Sequence, residues 1–235
     1  MKHKELITVV ITYVLIVSSL IVTASLVSEV TTVVAQLTPI ERNHTIVIDA
    51  GHGGPDGGAI SCTGVMESKF NLDISLRLND LLQLLGHKTV MIRTEDESIY
   101  ISGETIAAKK ISDLRQRVKL ANEIQGGVLV SIHQNTFSDS RYSGPQVFYG
   151  TKGEGEQLAK ILQKSLTEVL SPGSNRMAKK ADGIYLMQHI NCTGVLIECG
   201  FLSNPEEEAK LRNCQYQQKL CCVIASTVDR YLSNT

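Results

Sequence analysis

The chain has 235 residues, 43% of them hydrophobic and 20% charged, with a formal net charge of -1. That is enough for one globular domain with a sizeable core, and too apolar for a disordered chain. A near-neutral balance and the lack of tryptophan exclude the basic footprint and the stacking platforms of a nucleic-acid binder.

Lys2 and Lys4 precede an uncharged run over residues 6–27, long enough to span a bilayer. The basic start, the apolar middle and the small residues Ala24 and Ser25 also have the form of an export signal. Residues 1–27 are therefore expected to be a signal peptide or a membrane anchor, with a buried core helix as the alternative. The lysines place the body of the protein outside the cytoplasm, meeting the membrane only through this segment. Residues 28–43 read as a linker and 44–235 as the folded domain. The six cysteines contain no C-x-x-C pair, which disfavours a thiolate metal site. Most read as small buried apolar groups, although a disulfide would suit an exported chain.

Residues 45–48, Thr-Ile-Val-Ile, form an apolar β-branched run that predicts a buried strand, followed by a Gly-rich loop around His52. Glu67 opens a helix with Ile74, Leu78, Leu81 and Leu85 at helical spacing, stopped by Gly86. Residues 87–93 predict a second strand and 94–110 a polar surface loop. Leu114, Val118 and Ala121 mark a second helix, ended by Gly126 and Gly127. Residues 128–132 predict a third strand ending at His133, and residues 146–149 a fourth. A third helix covers 158–170, stopped by Pro172 and Gly173. Residues 184–187 and 194–197 predict two more strands, the last ending at Glu198, and helices over 206–212 and 215–232 finish the chain. The alternation predicts an α/β single domain with a mainly parallel twisted sheet of about six strands and helices on both faces.

In such a sheet, ligands bind outside the carboxyl ends of the strands. His52, His133 and Glu198 all fall at or just beyond predicted strand ends, and Glu67, in a first helical turn, can reach the same edge. Two imidazoles and a carboxylate suggest a catalytic zinc site with three protein ligands and an open fourth position. The alternatives are a turn residue for His52, a strand-end cap for His133 and a helix-dipole partner for Glu67. Glu198, between Ile197 and Cys199-Gly200-Phe201, is costly unless paired or working. A phosphate-binding reading of the Gly-rich loop fails, because no helix starts at the glycines. His87 and His189 read as structural or surface residues.

I-V-I-D-A-G-H-G-G-P-D-G-G-A, the helix start at Glu67, R-V-K-L-A-N from Arg117, V-S-I-H-Q-N from Val130 and V-L-I-E-C-G-F-L-S-N from Val195 resemble the zinc-dependent N-acetylmuramoyl-L-alanine amidases of the amidase-3 family. The resemblance spans residues 45–232. It implies that His52, Glu67 and His133 are zinc ligands and that Glu198 is the catalytic carboxylate. The implied reaction cleaves the amide between N-acetylmuramic acid and L-alanine in peptidoglycan. Ala50, Gln134 and Thr193-Gly194 depart from the usual pattern, and none of these is an implied ligand. No wall-binding repeat and no long insertion between His133 and Gln146 is present, which is most similar to the sporulation amidases. That likeness implies a spore-cortex role, a step towards muramic-δ-lactam. With no module to hold the wall and three groups to hold the metal, an activating protein partner is a further expectation. A zinc peptidase acting on stem peptides and a degenerate wall-binding protein are the rival readings.

Overall fold

The structure, a computed structural model, describes residues 3–36 and 44–234. It divides into two units, Met1–Glu41 and Arg42–Thr235. Among the described residues the first unit holds one helix, α1 (His3–Gln36), which carries the uncharged run. It continues through residues 28–36, part of the expected linker; residues 37–43 lie outside the described residues. Among the described residues no helix is long and apolar enough to cross a membrane.

The second unit is built on a six-stranded sheet of order β2-β1-β3-β6-β4-β5. Its strands are β1 (Thr45–Ala50), β2 (Lys88–Met91), β3 (Val128–Asn135), β4 (Gln146–Tyr149), β5 (Lys179–Lys180) and β6 (Thr193–Phe201). The helices are α2 (Glu67–Leu84), α3 (Ile106–Glu123), α4 (Gly155–Leu170), α5 (Tyr185–His189), α6 (Pro205–Arg212) and α7 (Cys214–Leu232). Strand side chains alternate between two apolar layers, as the pleat requires. Ile46, Ile48, Val128, Val130, Ile132, Val195 and Ile197 pack on α2, α4 and α7 through residues such as Ile74, Leu78, Leu162 and Ile224. Val47, Leu129 and Leu196 pack on Ala121 of α3 and Leu186 and Met187 of α5. Both faces are covered, and the central strands are accordingly continuous apolar runs.

Several expectations are corrected. Residues 184–187 are not a strand: Leu186 and Ile190 lie one helical turn apart, are both buried, and belong to the turn of helix α5 and its cap. The missing strand is β5, a two-residue exposed edge that no apolar pattern could reveal. The loop after residue 94 ends at Thr105, whose hydroxyl accepts the Ala108 N–H and caps α3. β6 runs through Glu198 to Phe201, and β3 runs through His133 to Asn135 with a register irregularity between 133 and 135. The sheet is mixed, with β4 antiparallel to β6. Residues 136–145 hold no crossover helix, so the chain turns back and β4 runs opposite to β3. All six cysteines are free thiols.

Candidate metal centre

β1 delivers the chain to Gly51 and His52, and His52 adopts φ 58°, a left-handed conformation uncommon outside glycine. Such a conformation persists only where the surroundings over-determine it, and two buried arginines do so here. Arg93 donates from Nε to the Ala50 carbonyl (2.8 Å) and from Nη2 to the Gly51 carbonyl (3.0 Å). Arg117 donates from Nη1 to the Ala50 carbonyl (2.8 Å) and from Nη2 to the His52 carbonyl (2.7 Å). Three consecutive carbonyls are thus held by planar forks with fixed donor directions. Arg117 is itself set by Asp49 (2.5 Å) and Asp113 (2.6 Å), and Asp49 also accepts the Ser131 hydroxyl at 2.6 Å.

The His52 ring is oriented by Asp56, whose carboxylate lies 3.0 Å from Nδ1. The hydrogen bond to His52 holds the Asp56 carboxyl below the usual carboxylate range; burial opposes this and Lys110 adds to it. Nε2 is left facing Glu67 Oε2 at 3.3 Å. Glu67 opens α2 without a side-chain cap at Met66, and its carboxylate is buried. It accepts the Ala59 N–H (3.0 Å), the Gln134 N–H (3.1 Å) and the Asn71 amide (3.1 Å). His133 Nδ1 lies 3.1 Å from Glu67 Oε1, and the two imidazoles meet edge to face with centroids 5.0 Å apart. Burial pushes the Glu67 carboxyl up, but the His133 bond, both imidazoles and the Ala59 N–H hold it at about 2.

One ligand atom from each of His52, Glu67 and His133 lies within 4.8 Å of the others, so the group could hold a metal ion. Three features of the fold suit that use. The donor set is the two-imidazole, one-carboxylate type. The second His52 nitrogen is tied to a carboxylate, as ligating imidazoles require. The space is kept by glycine: a Cβ on Gly51 would stand 2.2 Å from His133 Nε2, and one on Gly58 2.6 Å from Glu67 Oε2. A surface role for Glu67 at a helix dipole does not fit a carboxylate enclosed by two imidazoles.

Glu198 reaches the same face through the sheet register, which pairs it with His133 across β3 and β6. Its Oε2 is enclosed and has no hydrogen-bond partner. Burial pushes its carboxyl up to about 7, with His133 opposing and Glu67 adding to the rise. All four candidate residues are therefore brought to one edge. His87 pairs with Asp229 (3.0 Å) and His189 stacks on Tyr185, both away from this cluster. The polar loop after β2 leans on the Gly-rich turn: Asp96 accepts the Gly54 N–H, and Lys110 at the start of α3 reaches Asp56. On the other side Phe137, Tyr142 and Phe201 form an aromatic row. A cavity of about 500 Å³ opens at the opposite, amino end of the sheet, lined by Val128 and Thr193, and holds none of the four.

Asp56, Asn71 and the two arginines are not among the site residues expected from the sequence. Only Asp56 carried a signal, a carboxylate four residues after His52 in the same Gly-rich loop.

A largely parallel sheet with this donor set at its carboxyl edge is the layout of an α/β hydrolytic enzyme. The chain belongs to the N-acetylmuramoyl-L-alanine amidase family amidase-3, which matches residues 46–230, and it is an amidase. It is 40% identical over 190 residues to the germination-specific N-acetylmuramoyl-L-alanine amidase of Bacillus subtilis (strain 168), covering 80% of this chain and 79% of that protein. Among solved structures it is similar to the CwlD amidase from Clostridioides difficile in complex with the GerS lipoprotein, at 36% identity and TM-score 0.78 over 82% of this chain and 100% of that one. It is also similar to the N-acetylmuramoyl-L-alanine amidase from Clostridium difficile 630, at 32% identity and TM-score 0.70 over 83% of this chain and 100% of that one.

Proposed function

We propose that this amidase is zinc-dependent, with His52, Glu67 and His133 as metal ligands and Glu198 as the catalytic carboxylate. Its substrate is the amide between the lactyl group of N-acetylmuramic acid and L-alanine in peptidoglycan. The observation that carries this is the convergence of three ligand atoms within 4.8 Å on the edge where Glu198 keeps an enclosed, unpartnered oxygen.

When bound, zinc supplies Lewis acidity for a carbonyl and lowers the pKa of water to about 7. Glu198 takes a proton from the attacking water as its oxygen adds to the amide carbon. It returns that proton to the nitrogen as the C–N bond breaks, so the L-alanine amine leaves neutral. Asp56 keeps the His52 proton on Nδ1 and so leaves Nε2 free. Arg93 and Arg117 hold the turn on which His52 stands.

The similarity to a germination-specific amidase and to CwlD supports a role in spore cortex, as a step towards muramic-δ-lactam. A neighbour solved with a lipoprotein supports an activating protein partner. The basic start and apolar run of α1 support export to the wall or cortex space; a periplasm-only reporter fused after Asn43 is then active, and an inactive, cytoplasmic fusion overturns this.

Digestion of purified peptidoglycan, read by mass spectrometry, tests the reaction. The expected products are stem peptides with a free L-alanine amine and muramic acid with a free lactyl carboxyl, lost with chelator and restored by zinc. Cleavage inside the stem peptide would make the protein a zinc peptidase. Zinc binding without any cleavage would make it a wall-binding protein.

A further inference from the structure

We infer that Gln134 is a positioning residue for the metal centre: its side-chain amide fixes the orientation of the Asn71 amide, which in turn fixes the Glu67 carboxylate. The inference rests on the reading of His52, Glu67 and His133 as a metal site.

Asn71 stands four residues after Glu67 on α2, one turn along the same helix face. It is fully buried, and its Nδ2 donates to Glu67 Oε1 and to the Gly51 carbonyl, both at 3.1 Å. A carboxylate and a carbonyl can only accept, so both Asn71 N–H groups are committed to them. Rotating the amide by half a turn would set Oδ1 against two acceptors. Oδ1 must therefore point away, and the donor that meets it is Gln134 Nε2 at 3.2 Å. The direction of every bond in this chain follows from the acceptors at its end, independently of how the amide atoms are assigned.

Gln134 is itself almost fully buried, and its Oε1 has no hydrogen-bond partner. An enclosed orphan oxygen is unfavourable and calls for an explanation. An apolar side chain would fill the same volume without it. The N–H side of the amide is what the site uses, at Asn71 Oδ1, while the side chain also meets Cys199. Residue 134 also donates its backbone N–H to Glu67 Oε1 at 3.1 Å. It therefore holds the carboxylate twice, once directly and once through Asn71. Oε1 thus accepts from Asn71 and Gln134, and His133 Nδ1 lies 3.1 Å from the same atom.

The test is a thermodynamic cycle on zinc affinity, measured on the full chain by competition with a chromogenic chelator. Thermal unfolding of the zinc-free protein is followed in parallel. Gln134→Met keeps the length and removes the donor; zinc affinity is expected to fall 10–100-fold, the range for lost partners of metal ligands. In an Asn71→Ala background the same substitution is expected to cost less than twofold, because Gln134 acts through Asn71. Should Gln134→Met not fold, Gln134→Ala enters the same cycle. Zinc affinity within twofold of wild type in the single variant would overturn the inference. So would an undiminished loss in the Asn71→Ala background, or a lowered melting temperature with unchanged affinity. If His52→Ala binds zinc as tightly as wild type, the metal-site reading itself falls, whatever the Gln134 variants do.

Discussion

Replacing Arg117 with methionine removes the guanidinium that faces Asp49 inside the protein, where both side chains are at most 2% exposed. The arginine makes four bonds there: to Asp49, to Asp113, and to the Ala50 and His52 carbonyls. Methionine restores most of the volume and none of the donors. Asp49 keeps only the Ser131 hydroxyl as a hydrogen-bond partner and Asp113 keeps the Ser98 hydroxyl and the Ile99 N–H, so the substitution takes the cation from two buried carboxylates, Asp49 the more deeply enclosed. Such a loss costs about 3–5 kcal/mol, a large share of the roughly 5–15 kcal/mol that stabilises a domain. The pH dependence gives the sharper signature. In the wild type, burial pushes the Asp49 carboxyl up, but Arg117 first, then His133 and Ser131, bring it below the ordinary value. That contribution is present above the unfolded value of about 3.9 and fades as pH falls through the folded value. Without Arg117, burial dominates and the folded value rises above the unfolded one. The variant is then penalised at neutral pH and recovers as acid protonates Asp49, so the gap to wild type narrows from pH 7 to pH 5. Urea unfolding followed by circular dichroism at both pH values measures it, and Asp49→Asn in the same background should recover part of the loss. A gap below about 1 kcal/mol at pH 7, less than a buried pair implies, or one that does not change with pH, would refute the reasoning.

Zinc titration separates the two carboxylates: Glu67→Gln should lose tight zinc, while Glu198→Gln should keep it and lose turnover by roughly 10²–10⁴. The reverse pattern would exchange their roles. Gly51→Ala places a methyl 2.2 Å from His133 Nε2, so it should displace the ring and release zinc in calorimetric titration while the circular dichroism spectrum stays native. Asp56→Ala removes the acceptor that meets His52 Nδ1, and zinc affinity should fall 10–100-fold; an unchanged affinity would leave Asp56 as a mere surface partner of Lys110.

The four candidate residues were legible because the central strands are buried on both faces. Residues 46–48 and 128–130 are unbroken apolar runs, so the strands, and the polar groups beyond them, stand out. The same signal misled at residues 184–187, where a short apolar run fits a strand or one buried helical turn equally well. It was silent at Lys179–Lys180, whose side chains are exposed. The support of the site was out of reach for another reason. Arg117 meets Asp49 across 68 residues, and Gln134 meets Asn71 across 63. Nothing local in either segment records a partner that only the closed sheet supplies.

The strand order also makes the sheet depend on its last strand. β1, β2 and β3 are neighbours without β6, but β4 and β5 join them only through β6, the last strand of the chain. Without β6 the edges of β3 and β4 would be open, the kind of edge that invites association between chains. Glu198 lies on the strand that seals the seam. The strand that covers these two edges thus also supplies the fourth site residue, and a chain cut short before β6 has neither.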